Sequence, residues 1–219
     1  MVDAADAPVL AVLTRAPSSR AKTRLFASLG VPPDPTLLTA LLLDTLDGSA
    51  VPGMRRVVAV APASAADEVR RIVGDVEVIA QPDGDLGQRM RATMSALFAR
   101  GAPAVALIGS DVPHITAATI ADGWARLAED PEALVLGPAA DGGYYLIAAR
   151  RVPEVFSGIE WGSRHVLAQT ERMAAAQRLR VHRLATLADV DTADELRAAA
   201  QSGRAPRAAA WLNALPPTN

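Results

Sequence analysis

The feature that most constrains the fold is the regular alternation of short apolar runs with longer helical segments. The runs, at residues 8–14, 56–61, 76–80 and 104–108, each read as a buried strand. Helical periodicity fills the gaps between them, at residues 34–47, 64–73 and 88–100, and resumes at 116–128. Strands that alternate with helices of this length favour parallel pairing. The sequence therefore predicts an α/β fold with helices on both faces of a sheet.

The second half of the chain departs from this rhythm. Apolar runs at residues 133–136 and 143–149 are separated only by a Gly/Pro/Asp loop. A crossover between parallel strands needs a dozen or more residues, so this pair is expected to be antiparallel or splayed. Residues 163–176, 192–200 and 206–212 indicate helices, and 181–184 a strand. We predict one domain over residues 1–219, with a mixed, mainly parallel sheet and a flexible tail at 1–7.

Composition excludes several classes of function. The net charge of −2 argues against a nucleic-acid binder, which would carry a basic excess. The absence of cysteine excludes disulfides, thiolate metal sites and cysteine nucleophiles. No apolar run approaches the roughly 20 residues that span a bilayer. Residues 1–7 carry Asp3 and Asp6 without a basic residue, unlike a secretory signal, so we expect a cytoplasmic protein with no membrane segment.

A carboxylate follows the central strand. The run at residues 104–108 stops at Gly109, Ser110 and Asp111, and Pro113 then takes the chain out of the sheet. Ligands of open α/β sheets bind at the carboxyl ends of the strands, where Asp111 is expected. An ionised carboxylate beside so apolar a run needs a cation, an arginine or backbone N–H groups as partner. The alternative is that Asp111 only caps the next turn or helix.

Cations follow the first strand, at the same predicted edge. Arg15, Arg20, Lys22 and Arg24 fall within ten residues, with no acid among them. Such a group suits a di- or triphosphate, because charge-assisted bonds to phosphate oxygens are strong. The alternative is a solvated basic loop. Neither G-x-G-x-x-G nor G-x-x-x-x-G-K-[ST] occurs, which argues against a dinucleotide oxidoreductase and a P-loop enzyme.

Three further loops are candidates for the same edge. Residues 81–90 contain two glycines that would let the backbone approach a ligand, or that serve turn geometry alone. Residues 137–145 place Asp141 before an aromatic pair. Residues 189–195 carry several acids, of which one could cap the following helix and another could join Asp111 on a metal. Carboxylates together with phosphate oxygens suit Mg²⁺ or Mn²⁺.

Six segments, taken in order, resemble a known family. They are PVLAVLTRAPSSRAKTRL, QPDGDLGQRM, ALIGSDVPHIT, LGPAADGGYYLIA, WGSRHVLAQT and LADVDTADEL, within residues 8–200. The chain is thereby similar to a bacterial family of GT-A-fold glycosyltransferases, which have the fold of nucleotide-diphospho-sugar transferases. AKTRL, the Asp-x-Pro after the central strand and DVDTADEL are shared with the guanylyltransferases of deazaflavin-cofactor (2-phospholactate) and molybdopterin biosynthesis. Family loops often carry Gly where this chain has Arg20.

The resemblance implies roles for residues at three kinds of site. Asp111 and Asp191 would hold the divalent cation, and Lys22, Arg24 and Asp111 would be the catalytic residues. The nucleotide would contact Leu13, Thr14, Arg15, Lys22, Arg24, Gln81, Gly84 and Gly87. The acceptor or sugar would contact Asp141, Gly142 and Tyr144, with Trp161 as a wall of the site or a core residue.

The resemblance favours a transferase that uses an activated nucleotide. Glycosyl transfer from a nucleotide-diphospho-sugar to a small acceptor ranks first, on the resemblance alone. The alternative is nucleotidyl transfer, in which a phosphorylated substrate attacks an NTP and pyrophosphate leaves. It needs a further anion site, for which Arg15, Arg20 and Arg89 are surplus cations. A nucleotide-binding module without catalysis is the remaining alternative, since no general base is evident.

Overall fold

The computed structural model describes residues 7–18 and 21–216. Seven strands occur in these ranges: β1 Val9–Arg15, β2 Arg55–Ala61, β3 Glu77–Ala80, β4 Val105–Gly109, β5 Leu134–Pro138, β6 Tyr144–Ala149 and β7 Val181–Arg183. The helices are α1 Thr23–Leu29, α2 Pro35–Gly48, α3 Ala66–Val73, α4 Leu86–Ala99, α5 Ala117–Glu129, α6 Val166–Ala176, α7 Ala193–Gln201 and α8 Pro206–Asn213.

All seven strands form one sheet in the order β3-β2-β1-β4-β6-β5-β7. β1 pairs in parallel with β2 and β4, and β2 with β3. β6 runs antiparallel to both β4 and β5, because the short loop before it leaves no room for a helical crossover. The predicted mixed, mainly parallel α/β fold is therefore confirmed.

The central strands are buried on both faces. Along β1, Leu10 and Val12 join the apolar cluster that packs under α2, α3 and α5. The alternate residues Val9 and Ala11 join the cluster under α4 and α6. Side chains of a strand point alternately to its two faces, so a continuous apolar run is what a doubly covered strand requires.

A third apolar cluster lies beside the sheet. α2 contributes Leu37 and Leu41 to it, together with residues of α1, α7 and α8, whereas Leu42 and Leu46 face the sheet. The leucine-rich helix is thus part of the core, with two buried faces. This arrangement brings α1 and α2 together with α7 and α8, which lie far from them along the chain.

The ends of the chain bear on two sequence predictions. Of the segment 1–7 predicted to be a flexible tail, residues 1–6 lie outside the described residues, and Ala7 is buried. Among the described residues, no helix has both the length and the apolar character needed to cross a membrane.

Candidate active site

A cavity of about 780 Å³ opens at the carboxyl edge of the sheet. The ends of β1 and β4 form its floor, and the loop after β3, the start of α4 and the segment after β6 supply its walls. Predicted site residues that line it are Leu13, Thr14, Arg15, Lys22, Gln81, Asp111, Asp141 and Tyr144. The structure thus gathers residues from distant parts of the chain around one hollow.

Lys22 lies between two of the predicted metal ligands. Its Nζ donates to Asp111 Oδ2 at 2.8 Å and also to Asp191 Oδ1. The Lys22 side chain is only 17% exposed. Its backbone is left-handed, with φ 56° at the N-cap of α1, a conformation that costs a non-glycine residue about 1 kcal/mol or more. We attribute the tolerance of this strain to the two ion pairs that the resulting side-chain position allows.

Backbone contacts hold Asp191 beside Asp111. Val190 N donates to Asp111 O at 2.8 Å, which ties the segment before α7 to the end of β4. The cap of α7 is Thr192, which forms a capping box with Glu195. The prediction that an acid is the N-cap of this helix is therefore wrong, and the Asp191 carboxylate pairs with Lys22 instead. Asp111 does not cap α5 either, because Thr116 does so.

Three carboxylates meet at this point. One oxygen each from Asp111, Asp189 and Asp191 lies within 4.8 Å of the others. Burial raises the pKa of Asp189 to about 6, and the charges of Asp111, Asp141 and Asp191 add to the rise. Burial alone would lower the pKa of Lys22, but its attraction to Asp111 and Asp191 outweighs this effect and holds the pKa above the usual value. Oxygen donors that converge in this way fit a hard divalent cation such as Mg²⁺ or Mn²⁺.

Sequence reasoning assigned no role to Asp189. A signal was present, because Asp189 and Asp191 are two residues apart in the short segment before the predicted helix at 192–200. Side chains at such spacing point to the same side of an extended chain. The segment that carries Asp189 is tied to the loop after β5 by Leu187 and to Asp111 by Val190, and these long-range contacts cannot be seen in the sequence.

Two of the residues predicted to contact the nucleotide, Thr14 and Gln81, form hydrogen bonds that connect neighbouring strands. The buried Gln81 donates from Nε2 to Thr14 O at 3.2 Å and to Ala59 O at 2.6 Å. It thereby joins the carboxyl ends of β1 and β2. Ser110 Oγ donates to Thr14 Oγ1 at 3.0 Å and links β1 to β4. These hydrogen bonds hold together the strand ends that form the floor of the cavity.

Aromatic residues form part of the cavity wall. Trp161 lines the cavity and also packs against the apolar cluster under α4, so it is both a wall and a core residue. Its ring meets Tyr144 edge to face, with centroids 6.4 Å apart. A Cβ at Gly87 would lie 2.7 Å from the Trp161 ring, so the absence of a side chain there makes room for the indole. Asp141 Oδ1 accepts a bond from Gly143 N at 2.8 Å, which orders the neighbouring loop.

Several predicted site residues are not brought to the cavity surface. Arg24 is exposed on α1 and is not among the described residues that line the cavity. Gly84, Gly87, Gly142 and Asp191 are likewise not among the residues that line the cavity, although Asp191 contacts Lys22, which does line it. Gly142 instead packs closely on Arg164, whose carbonyl a Cβ would meet at 2.2 Å. Arg20, one of the surplus cations of the sequence analysis, lies outside the described residues.

Comparison with known proteins agrees with this geometry. Residues 45–163 match the model of the family DUF2064, described as an uncharacterised protein conserved in bacteria. Among solved structures, a "putative nucleotide-diphospho-sugar transferase" from Desulfovibrio desulfuricans G20 is 30% identical, with a TM-score of 0.78 over 85% of this chain and 83% of that one. Among curated proteins, none matches the sequence.

More distant structures share the fold alone. A CMP:2-keto-3-deoxy-manno-octonic acid synthetase solved with CTP is 16% identical, with a TM-score of 0.56 over 94% of this chain and 99% of that one. A nucleotidyl transfer enzyme from Methanothermobacter is 17% identical, with a TM-score of 0.58 over 90% and 97% of the two chains. The predicted resemblance and the assignment as a transferase are confirmed. The chain belongs to the DUF2064 family and has the nucleotide-diphospho-sugar transferase fold.

Proposed function

We propose that the protein is a metal-dependent glycosyltransferase that uses a nucleotide-diphospho-sugar as donor and a small molecule as acceptor. The observation that carries this proposal is the convergence of Asp111, Asp189 and Asp191 within 4.8 Å, with Lys22 against two of them, at a cavity of about 780 Å³. Carboxylates this close repel one another unless cations lie between them. A diphosphate that binds together with a divalent cation fits this arrangement. The divalent cation reduces the repulsion between the carboxylates, and the positive charge of Lys22 pairs with the phosphate oxygens.

Different residues assist the departure of the diphosphate in different ways. Asp111, Asp189 and Asp191 are the residues that would hold the cation, which when bound neutralises charge on phosphate oxygens. Lys22 stays protonated and is already fixed at the rim of the cavity, so it stabilises the negative charge that develops on the leaving diphosphate. The name of the similar Desulfovibrio protein supports the class of donor.

The acceptor is assigned to the wall formed by Asp141 and Tyr144. In this reaction an acceptor hydroxyl oxygen bonds to the sugar carbon, the bond from that carbon to the diphosphate breaks, and the hydroxyl proton leaves to a base or solvent. Asp141 and Tyr144 line the cavity on the side of the sheet away from β3, next to the aspartates. They are therefore placed to contact the group that receives the sugar.

Nucleotidyl transfer is the second candidate. There a phosphorylated substrate attacks the α-phosphorus of an NTP, and pyrophosphate leaves. This reaction needs more positive charge than Lys22 provides, and Arg15 and Arg89 line the same cavity. That observation favours the second candidate, whereas the name of the similar solved structure favours the first.

Product analysis separates the two candidates. A thermal-shift screen of nucleotides and nucleotide sugars, with and without Mg²⁺ or Mn²⁺, first identifies ligands that stabilise the folded protein. The protein is then incubated with the best nucleotide sugar and a panel of acceptors, and separately with NTPs and small phospho-acids. Release of nucleoside diphosphate with a glycosylated acceptor supports the proposal, and release of pyrophosphate supports the second candidate. Binding without either product, unchanged by Asp111→Asn, would indicate a module without catalysis.

A further inference from the structure

We infer that Arg15 and Arg89 together form a binding subsite for an oxyacid group, a phosphate or a carboxylate, within the cavity. From the sequence, Arg15 and Arg89 are among the surplus cations that a further anion site could use, and the structure brings these two residues into one cavity. That the oxyacid belongs to a substrate rests on the proposed function, whereas the subsite itself rests on the geometry and charge described next.

Two elements that are distant along the chain bring these arginines to one cavity. Arg15 is the last residue of β1, and Arg89 lies in the first turns of α4. Both line the cavity. The side chain of Gln81, at the start of the loop that leads to α4, donates to Thr14 O, which fixes this loop against the end of β1. The packing of the fold thus brings both arginines into the lining of one cavity, where the charge of Arg15 acts on Arg89.

The charge of this pair is not balanced within the part of the chain that the structure describes. Neither arginine forms an ion pair with a carboxylate of residues 7–18 or 21–216. Among the described residues, Arg89 Nε donates to the carbonyl oxygen of Asp85, the N-cap of its own helix, at 3.4 Å. The Asp85 carboxylate accepts from Gln88 N at 2.8 Å and caps α4.

Burial and the neighbouring charge both act on Arg89. Burial lowers the pKa of Arg89, the positive charge of Arg15 lowers it further, and Asp85 offsets part of this effect. Two like charges in the lining of one cavity repel each other, and an anion bound between them offsets that repulsion. Guanidinium groups also present their N–H donors in a plane that matches two oxygens of a phosphate or carboxylate.

The oxyacid has two sources within the proposed function. It is either the phosphate of the nucleotide farthest from the base or the acid group of the second substrate. Both sources have the same chemistry at Arg15 and Arg89. They differ in which ligand loses affinity when one guanidinium is removed.

The test measures binding of inorganic phosphate to the purified full-length protein without metal or nucleotide, at constant ionic strength. We compare wild type with Arg89→Gln and Arg15→Gln. Arg91→Gln is the matched control, because Arg91 lies two residues along α4 and pairs with Glu154 at 2.6 Å on the exposed side. We expect each cavity variant to weaken phosphate binding by about tenfold or more, and the control to match wild type. Circular dichroism and thermal unfolding verify that each variant is folded.

The same proteins are then titrated with nucleoside mono-, di- and triphosphates and with phosphoglycolate. Selective weakening of the di- and triphosphates by Arg89→Gln assigns the subsite to the nucleotide, and selective weakening of phosphoglycolate assigns it to the second substrate. Either pattern supports the inference. Equal phosphate affinity in Arg89→Gln and Arg91→Gln, or no phosphate binding by wild type, overturns it. Because no turnover is measured, failure of the glycosyl or nucleotidyl reaction is a separate result.

Discussion

Removal of the Asp44 carboxylate is expected to loosen the C-terminal helix from the rest of the fold. α8 begins with Ala205 at its N-cap and Pro206 at its first position, so its own sequence supplies no side-chain cap. Asp44 of α2, which is far from α8 along the chain, caps this helix instead. Its Oδ2 accepts from Ala208 N at 2.9 Å, and its Oδ1 accepts from Arg207 N at 3.3 Å and from Arg207 Nη1 at 3.1 Å.

The size of the effect follows from burial. The Asp44 side chain is 0% exposed, so Asp44→Ala leaves two backbone N–H groups and part of a guanidinium without their acceptor. Each buried donor left unsatisfied costs about 1–3 kcal/mol, whereas the Arg207 guanidinium is 43% exposed and remains accessible to water, so its loss of a partner adds little. We expect the free energy of unfolding to fall by about 2–6 kcal/mol for the two N–H groups together. For a chain of this length that lowers Tm by about 10 °C.

Asp47 provides the matched control. It pairs with the same arginine, with Arg207 Nη1 at 2.8 Å from Asp47 Oδ2, but its side chain is 62% exposed. An exposed pair contributes about 0–1 kcal/mol. Urea unfolding of wild type, Asp44→Ala and Asp47→Ala, followed by circular dichroism, measures the difference. Equal destabilisation by the two substitutions, or a loss below about 1 kcal/mol for Asp44→Ala, would refute the reasoning from burial.

Three further predictions concern the cavity and its surroundings. Gly87→Ala should lower the free energy of unfolding by about 1–3 kcal/mol and alter tryptophan fluorescence, because the new Cβ meets the Trp161 ring at 2.7 Å. Gly123→Ala in α5 is the control for the same urea titration and should be tolerated, because its Cβ meets no atom closer than 3.6 Å. Asp111→Asn should reduce transferase turnover by about 100-fold, and Asp83→Asn, exposed in the loop before α4, should leave it unchanged in the same product assay. Burial and the charge of Arg204 lower the pKa of His114, so the folded state disfavours its protonated form. The unfolding free energy should accordingly decline as pH falls through about 6.5, with a smaller decline in His114→Gln, and identical pH profiles would contradict this account.

Much of the fold could be predicted from local pattern. Continuous apolar runs marked strands that are covered on both faces, and the short loop before β6 indicated its antiparallel direction. The edge of the sheet at which Asp111 and Lys22 meet also followed, because the segments that carry them follow strands that run the same way. The candidate site was harder to predict in detail. Glycine at residue 87 indicated a ligand contact, but it makes room for the indole of Trp161.

The sequence by itself determined the α/β class, the order of the strands and helices, and the presence of cations and carboxylates at one edge of the sheet. These properties depend on the period of apolar residues and on where each strand ends, which are local. Only the tertiary structure decided that Asp189 joins Asp111 and Asp191, that Arg15 and Arg89 but not Arg24 line the cavity, and that Asp44 caps α8. Such contacts join side chains from elements far apart in the chain, so they depend on how helices pack on the sheet.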